Sequence, residues 1–144
     1  MINWTHIMIH HSATKDSDTY SWSAIRRYHM TDPSHMWSDI GYHFGVELVG
    51  TSFEALIGRP LDRIGAHCPQ GMMNRRAIGV CVVGNYDLIE PPAGALAVLS
   101  ERVLTPLMQT FRIDPVNIVF HRNYNSAKSC PGVRFTKELL ERYV

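Results

Sequence analysis

The stretch Ala77-Ile78-Gly79-Val80-Cys81-Val82-Val83-Gly84 most restricts what this chain can fold into. It is apolar almost throughout, so both faces of the extended chain need a cover, which suits the centre of a sheet. It is also far short of the roughly 20 residues that span a bilayer. A length of 144 residues fits one domain around such a strand. That length also buries enough surface to need no disulfide staples.

The rest of the chain supplies neighbours and covering layers. His6-Ile7-Met8-Ile9-His10-His11 reads as a second buried strand ending in the small turn Ser12-Ala13-Thr14. Ser21 is placed to cap a helix running to about Met30, with Trp22 and Ile25 on one face, and Asp32-Pro33-Ser34 ends it. Tyr42 to Val49 and Phe53 to Ile57 flank a turn at Gly50-Thr51-Ser52 and read as a hairpin. Residues 60–76 read as a long loop. A helix is expected from about Ala93 to Phe111, kinked or shortened by Pro106. A short strand over Asn117 to His121, a loop over 122–133 and a helix over Thr136 to Tyr143 complete the chain. The expected fold class is α/β: one domain over residues 1–144, with a mixed central β-sheet flanked by helices.

Charge and composition narrow the function. A net charge of +1 lacks the basic excess of a nucleic-acid binder. The first residues show neither a basic region nor a long apolar one, so no secretory signal is expected. Three cysteines without such a signal do not read as a disulfide framework. Eight histidines outnumber the five phenylalanines, and histidine is the commonest metal ligand and proton carrier near neutral pH. HExxH, CxxC, Walker, GxGxxG and GxSxG patterns are all absent, which disfavours zincins, zinc fingers, nucleotide-binding enzymes and α/β-hydrolases.

The richest cluster runs from His121 to Gly132. His121 closes an apolar strand, Cys130 follows nine residues later, Lys128 precedes that cysteine by two, and Pro131-Gly132 sets the turn behind it. Histidine and cysteine are both zinc ligands. A surface histidine and a half-buried thiol would present the same pair. A third ligand is expected from His10 or His11, and strand alternation does not choose between them. Three protein ligands leave a fourth position for water, the mark of a catalytic zinc site. Lys128 could stabilise an oxyanion nearby, or be a solvated loop lysine. Tyr42 could bond water or substrate, or pack at a strand start. Cys81 belongs to the core, and Cys68 has no evident partner.

Taken together, His10-His11-Ser12-Ala13-Thr14, Ile25-Arg26-Arg27-Tyr28-His29, Trp37-Ser38-Asp39-Ile40-Gly41-Tyr42-His43-Phe44, Ile64-Gly65-Ala66-His67, Asn74, Ile78 to Gly84 and Lys128-Ser129-Cys130-Pro131-Gly132 form a specific pattern. The chain resembles zinc-dependent N-acetylmuramoyl-L-alanine amidases of the peptidoglycan-recognition type, above all the T7-type bacteriophage lysozymes. The resemblance implies the family's mixed sheet and a peptidoglycan amidase activity on the bond between N-acetylmuramic acid and L-alanine. It implies Zn2+ on His10, His121 and Cys130, with Tyr42 and Lys128 as catalytic helpers and His67 and Asn74 as substrate-binding residues. The loop from His121 to Cys130 is one residue longer than the T7-type pattern, and such lengthening costs little.

The implied setting is a phage endolysin: a monomer without membrane insertion, made in the host cytoplasm and acting on the wall after release. No separate wall-binding domain is expected. A contact with a phage RNA polymerase is implied by resemblance alone. A bacterial recycling amidase and a non-catalytic peptidoglycan-binding module are the alternatives, and the second would be expected to have lost a ligand such as Cys130.

Overall fold

The computed structural model describes residues 1–144, the side chain of Asp18 excepted. Five strands form one sheet: β1 (His6–His11), β2 (Phe44–Val49), β3 (Ser52–Ile57), β4 (Ala77–Val82) and β5 (Ile118–Phe120). Their order is β3-β2-β4-β1-β5, which puts the apolar strand β4 at the centre. β4 runs parallel to β1 and β2, β5 runs parallel to β1, and the β2–β3 hairpin is antiparallel. The expected mixed sheet is therefore present.

Period-two alternation sorts the two faces. Ile7, Ile9, Ile78, Val80 and Val82 point into the main core, against Leu96, Leu99, Val103 and Leu107. Phe135 and Leu140 close the same core beside α5 (Lys137–Glu141). On the other face, Cys81 and Val83 pack with Trp22 and Ile40 beneath α1 (Trp22–Thr31). Met8 meets Cys68 and Met73 there, next to the short α2 (Met73–Arg76). Cys68 and Cys81 are both buried and free.

Several local expectations change. The predicted helix over 93–111 is unbroken at Pro106. It runs as α3 (Ala93–Val98), a π-helical segment (Leu99–Leu104) and α4 (Thr105–Phe111). The Thr105 N–H reaches back five residues to the Ser100 carbonyl, so the helix widens just before the proline instead of ending there. Ser21 makes no side-chain cap on α1; the buried Glu47 carboxylate accepts the Trp22 N–H at 2.8 Å instead. The expected strand to His121 stops at Phe120, and His121 opens a 3-10 turn. The long loop over 60–76 contains α2. No helix among the described residues is long and apolar enough to cross a membrane.

Candidate metal centre and cleft

β1 and β5 are parallel neighbours, so their C-terminal ends, with His10 and His121 just beyond Phe120, come out side by side. Alternation turns His10 towards the face carrying Met8, while His11 turns to the other face. There the His11 Nδ1 accepts the Tyr86 N–H at 3.1 Å. Of the two histidines between which periodicity does not choose, it is the His10 ring that packs beside His121 and Cys130. The His10 and His121 rings lie 4.6 Å apart, centre to centre. The Cys130 Sγ stands 3.6 Å from the His10 Nδ1 and accepts the His11 backbone N–H at 3.4 Å. One ligand atom from each of His10, His121 and Cys130 lies within 4.8 Å of the others.

The loop that carries Cys130 is pinned from two sides. The Arg122 guanidinium donates to the carbonyls of Ser129, Gly132 and Phe135 at 3.2, 2.8 and 2.7 Å. Asp87 accepts from the Ser129 hydroxyl and the Val133 N–H, both at 2.9 Å. The Arg122 N–H also meets the Cys130 carbonyl at 2.9 Å. Neither Arg122 nor Asp87 was expected in the site. Adjacency to His121 was the only available signal for Arg122, and Asp87 carries none because it lies on a distant loop.

The electrostatics favour neutral imidazoles. Burial, with His67 and His121 alongside, holds His10 well below the usual histidine value. Burial and then the Lys128 cation lower His121. Both rings therefore keep a lone pair at neutral pH. Burial pushes the Cys130 thiol up to about 12, while the His11 N–H, Lys128 and Arg122 pull towards the thiolate.

These three residues lie in a cleft of about 370 Å³. Tyr42 and Lys128 both line it. The Tyr42 ring lies 5.1 Å from His10, and burial, with the Cys81 and Cys130 sulfurs, raises its hydroxyl well above 10. Lys128 is exposed at the rim. A wall of His29, His35 and Trp37 completes the cleft, packed ring on ring at 4.6–5.5 Å. His29 and Trp37 lie in the segments that carry the resemblance and His35 does not, and none of the three is expected in the site from sequence.

His67 and Asn74 differ in placement. His67 forms part of the cleft lining, yet it is nearly buried and both ring nitrogens are engaged, by His10 at 2.9 Å and the Ala77 carbonyl at 3.1 Å. Asn74 turns to its own loop, where its carboxamide oxygen accepts the N–H groups of His67 and Cys68 at 2.7 and 2.8 Å.

Three of the remaining five histidines hold backbone, while His6 and His35 meet the hydroxyls of Thr5 and Ser34. His29 and His43, like His11, each accept a backbone N–H on Nδ1, from Gly41 and Gly79.

Comparison with known proteins gives the family. The family profile described as N-acetylmuramoyl-L-alanine amidase matches residues 2–133. The endolysin of Klebsiella phage KP32 is 31% identical over 127 residues, covering 88% of this chain and 79% of that protein. The endolysin of Escherichia phage T7 is 40% identical over 81 residues, covering 56% of this chain and 48% of its own. Among solved structures, the N-acetylmuramoyl-L-alanine amidase LysC from Clostridium intestinale superposes with a TM-score of 0.78 at 25% identity, covering 98% of this chain and 85% of that one. A Drosophila PGRP-LB mutant in complex with tracheal cytotoxin reaches 0.75 at 25% identity, covering 96% of this chain and 81% of that one. Sequence and fold agree over nearly the whole length, and the chain belongs to the N-acetylmuramoyl-L-alanine amidase family.

Proposed function

We propose that this peptidoglycan amidase is a zinc enzyme and a phage endolysin, with one catalytic domain over residues 1–144. It would hydrolyse the amide between the lactyl group of N-acetylmuramic acid and L-alanine. The observation that carries this reading is the convergence of His10, His121 and Cys130 in a cleft that Tyr42 and Lys128 also line.

The donor set fits zinc. Two imidazoles and one thiolate leave a net positive site with one open position, unlike a four-thiolate structural centre. The 3.6 Å between the His10 Nδ1 and the Cys130 Sγ matches the ~3.5 Å that two ligands of one tetrahedral ion require. His10, His121 and Cys130 would hold the ion. When bound, zinc supplies Lewis acidity and makes water a nucleophile near neutral pH.

The chain's own groups do the rest. The Tyr42 hydroxyl keeps its proton, because its pKa is raised, so it acts as a hydrogen-bond donor and not as a base. It would donate to the negative charge that grows on the carbonyl oxygen, and Lys128 would bring positive charge to the same region. The stem peptide would lie along the cleft beside the His29, His35 and Trp37 wall. After release from the host cytoplasm the enzyme would act on the wall as a monomer.

Digestion of purified peptidoglycan tests the reading. New alanine amino termini without new reducing sugar ends are expected. Activity should vanish with a chelator and return with one zinc per chain. Reducing ends without new amines would make it a glycosidase, and fully active metal-free protein would overturn the zinc assignment.

A further inference from the structure

We propose that His67 is a positioning residue that sets the tautomer and ring plane of His10, through a hydrogen-bond relay anchored on the Ala77 carbonyl. The proposal rests on the reading that His10 is a zinc ligand.

The relay begins where the sheet leaves backbone groups unpaired. β2 pairs with β4 only from Val80 to Val82. Ahead of that, two histidine rings take over. The His43 Nδ1 accepts the Gly79 N–H at 3.0 Å, and the His67 Nε2 lies 3.1 Å from the Ala77 carbonyl. A carbonyl can only accept, so the His67 Nε2 carries the proton and donates it. In a neutral ring the other nitrogen is then an acceptor. The His67 Nδ1 faces the His10 Nε2 at 2.9 Å, so His10 must donate there. The proton of His10 is thus fixed on Nε2, and its Nδ1 presents a bare lone pair towards Cys130. The opposite tautomer of His10 would aim two lone pairs at one another across 2.9 Å in a buried setting.

The surroundings preserve this arrangement. A Cβ on Gly79 would stand 2.5 Å from the His67 Cδ2, and one on Gly65 would stand 2.4 Å from the same atom. Both glycines therefore keep room for the ring. The backbone under it is tied down by Asn74, whose side chain holds the His67 and Cys68 N–H groups. The Asn74 carbonyl also accepts the Gly65 N–H at 2.8 Å, and Gly41 accepts the Ala66 N–H at 3.0 Å. Orienting partners of this kind commonly set metal affinity by about 10–100-fold.

The test uses nitrogen spectroscopy and metal affinity together. In metal-free wild-type protein, two-bond proton–nitrogen correlations should show His10 protonated on Nε2 and bare on Nδ1. His67→Phe keeps the ring volume and removes both nitrogens, and its zinc affinity in chelator competition should fall about 10–100-fold. His67→Gln has a carboxamide that can accept from His10 and donate to Ala77, and it should recover most of that loss. A His10 ring protonated on Nδ1 overturns the proposal, as does a folded His67→Phe protein that binds zinc within about twofold of wild type. The wild-type spectrum decides the matter even if a variant fails to fold. Wild-type protein that shows the expected tautomer yet takes up no zinc overturns the zinc reading and leaves the relay standing.

Discussion

Gly79 and His67 occupy one shared volume: a Cβ on Gly79 would lie 2.5 Å from the His67 Cδ2 and 2.8 Å from its Cγ and Nε2. A glycine in the middle of a central strand is normally a weakness. Here it makes the space in which a buried imidazole reaches both the sheet backbone and His10.

Gly79→Ala should therefore be destabilising, by about 1–3 kcal/mol, because the added methyl meets a ring held at both nitrogens. Urea unfolding of the two proteins measures the difference. An alanine as stable as the glycine would show that the ring can move aside.

Replacing Tyr42 by Phe tests the donor role assigned to its hydroxyl. The ring packing against His10 and Trp22 survives, and only the O–H is lost. Turnover of peptidoglycan should fall about 100–1,000-fold, the usual cost of one donor to a developing oxyanion. Zinc content should stay at the parental value. Parental turnover would remove Tyr42 from the reaction.

Arg122→Lys should behave as a loss, not as a conservative change. One ammonium cannot reproduce the fork that holds the Ser129, Gly132 and Phe135 carbonyls. A stability loss of about 2 kcal/mol is expected, since hydrogen bonds from charged groups are the stronger kind. Zinc affinity should fall with it, because Cys130 rides on the same loop. Equilibrium denaturation and chelator competition on the same sample measure both.

Acid should weaken the fold between about pH 6.5 and pH 4. His43 is fully buried, and burial, with Arg59 adding to it, holds its pKa down to about 4 although the Arg63 carbonyl pulls the other way. In the unfolded chain the same ring titrates near 6.5. The unfolded state thus takes up a proton that the folded state refuses. Stability is complete above about pH 6.5 and falls as the pH drops towards 4, by ~1.4 kcal/mol per pH unit for this ring. His29, held at about 4 chiefly by burial, acts in the same direction but less strongly, because it is partly exposed. Urea midpoints of chelator-treated protein across this range should decline with acidity. A flat or rising profile would contradict the burial of the neutral His43 ring.

Amino-acid order alone determined a good deal of this molecule. The unbroken apolar run at Ala77–Val83 could be accommodated only at the centre of a covered sheet, and β4 is there. The spacing of His121, Lys128 and Cys130 marked a loop able to converge on an ion, because those residues are close along the chain. The final helix was legible too, although Thr136, read as its first residue, caps α5 by accepting the Leu139 N–H.

Contacts between distant segments were beyond such reading. Only the parallel pairing of β1 with β5 brings His10 beside His121, and only the turn of the strand sends His11 to Tyr86. Glu47 displaces Ser21 as the cap of α1 because the fold carries a carboxylate to the Trp22 N–H. The same holds for Asp87 on the Cys130 loop. The partners of a buried polar group follow from which backbone groups the sheet leaves unpaired, and that is settled in three dimensions. Sequence could offer eight histidines and mark the resemblance that selected His10. Tertiary structure showed which imidazoles converge on the candidate site and which hold backbone, and it set His67 between the two.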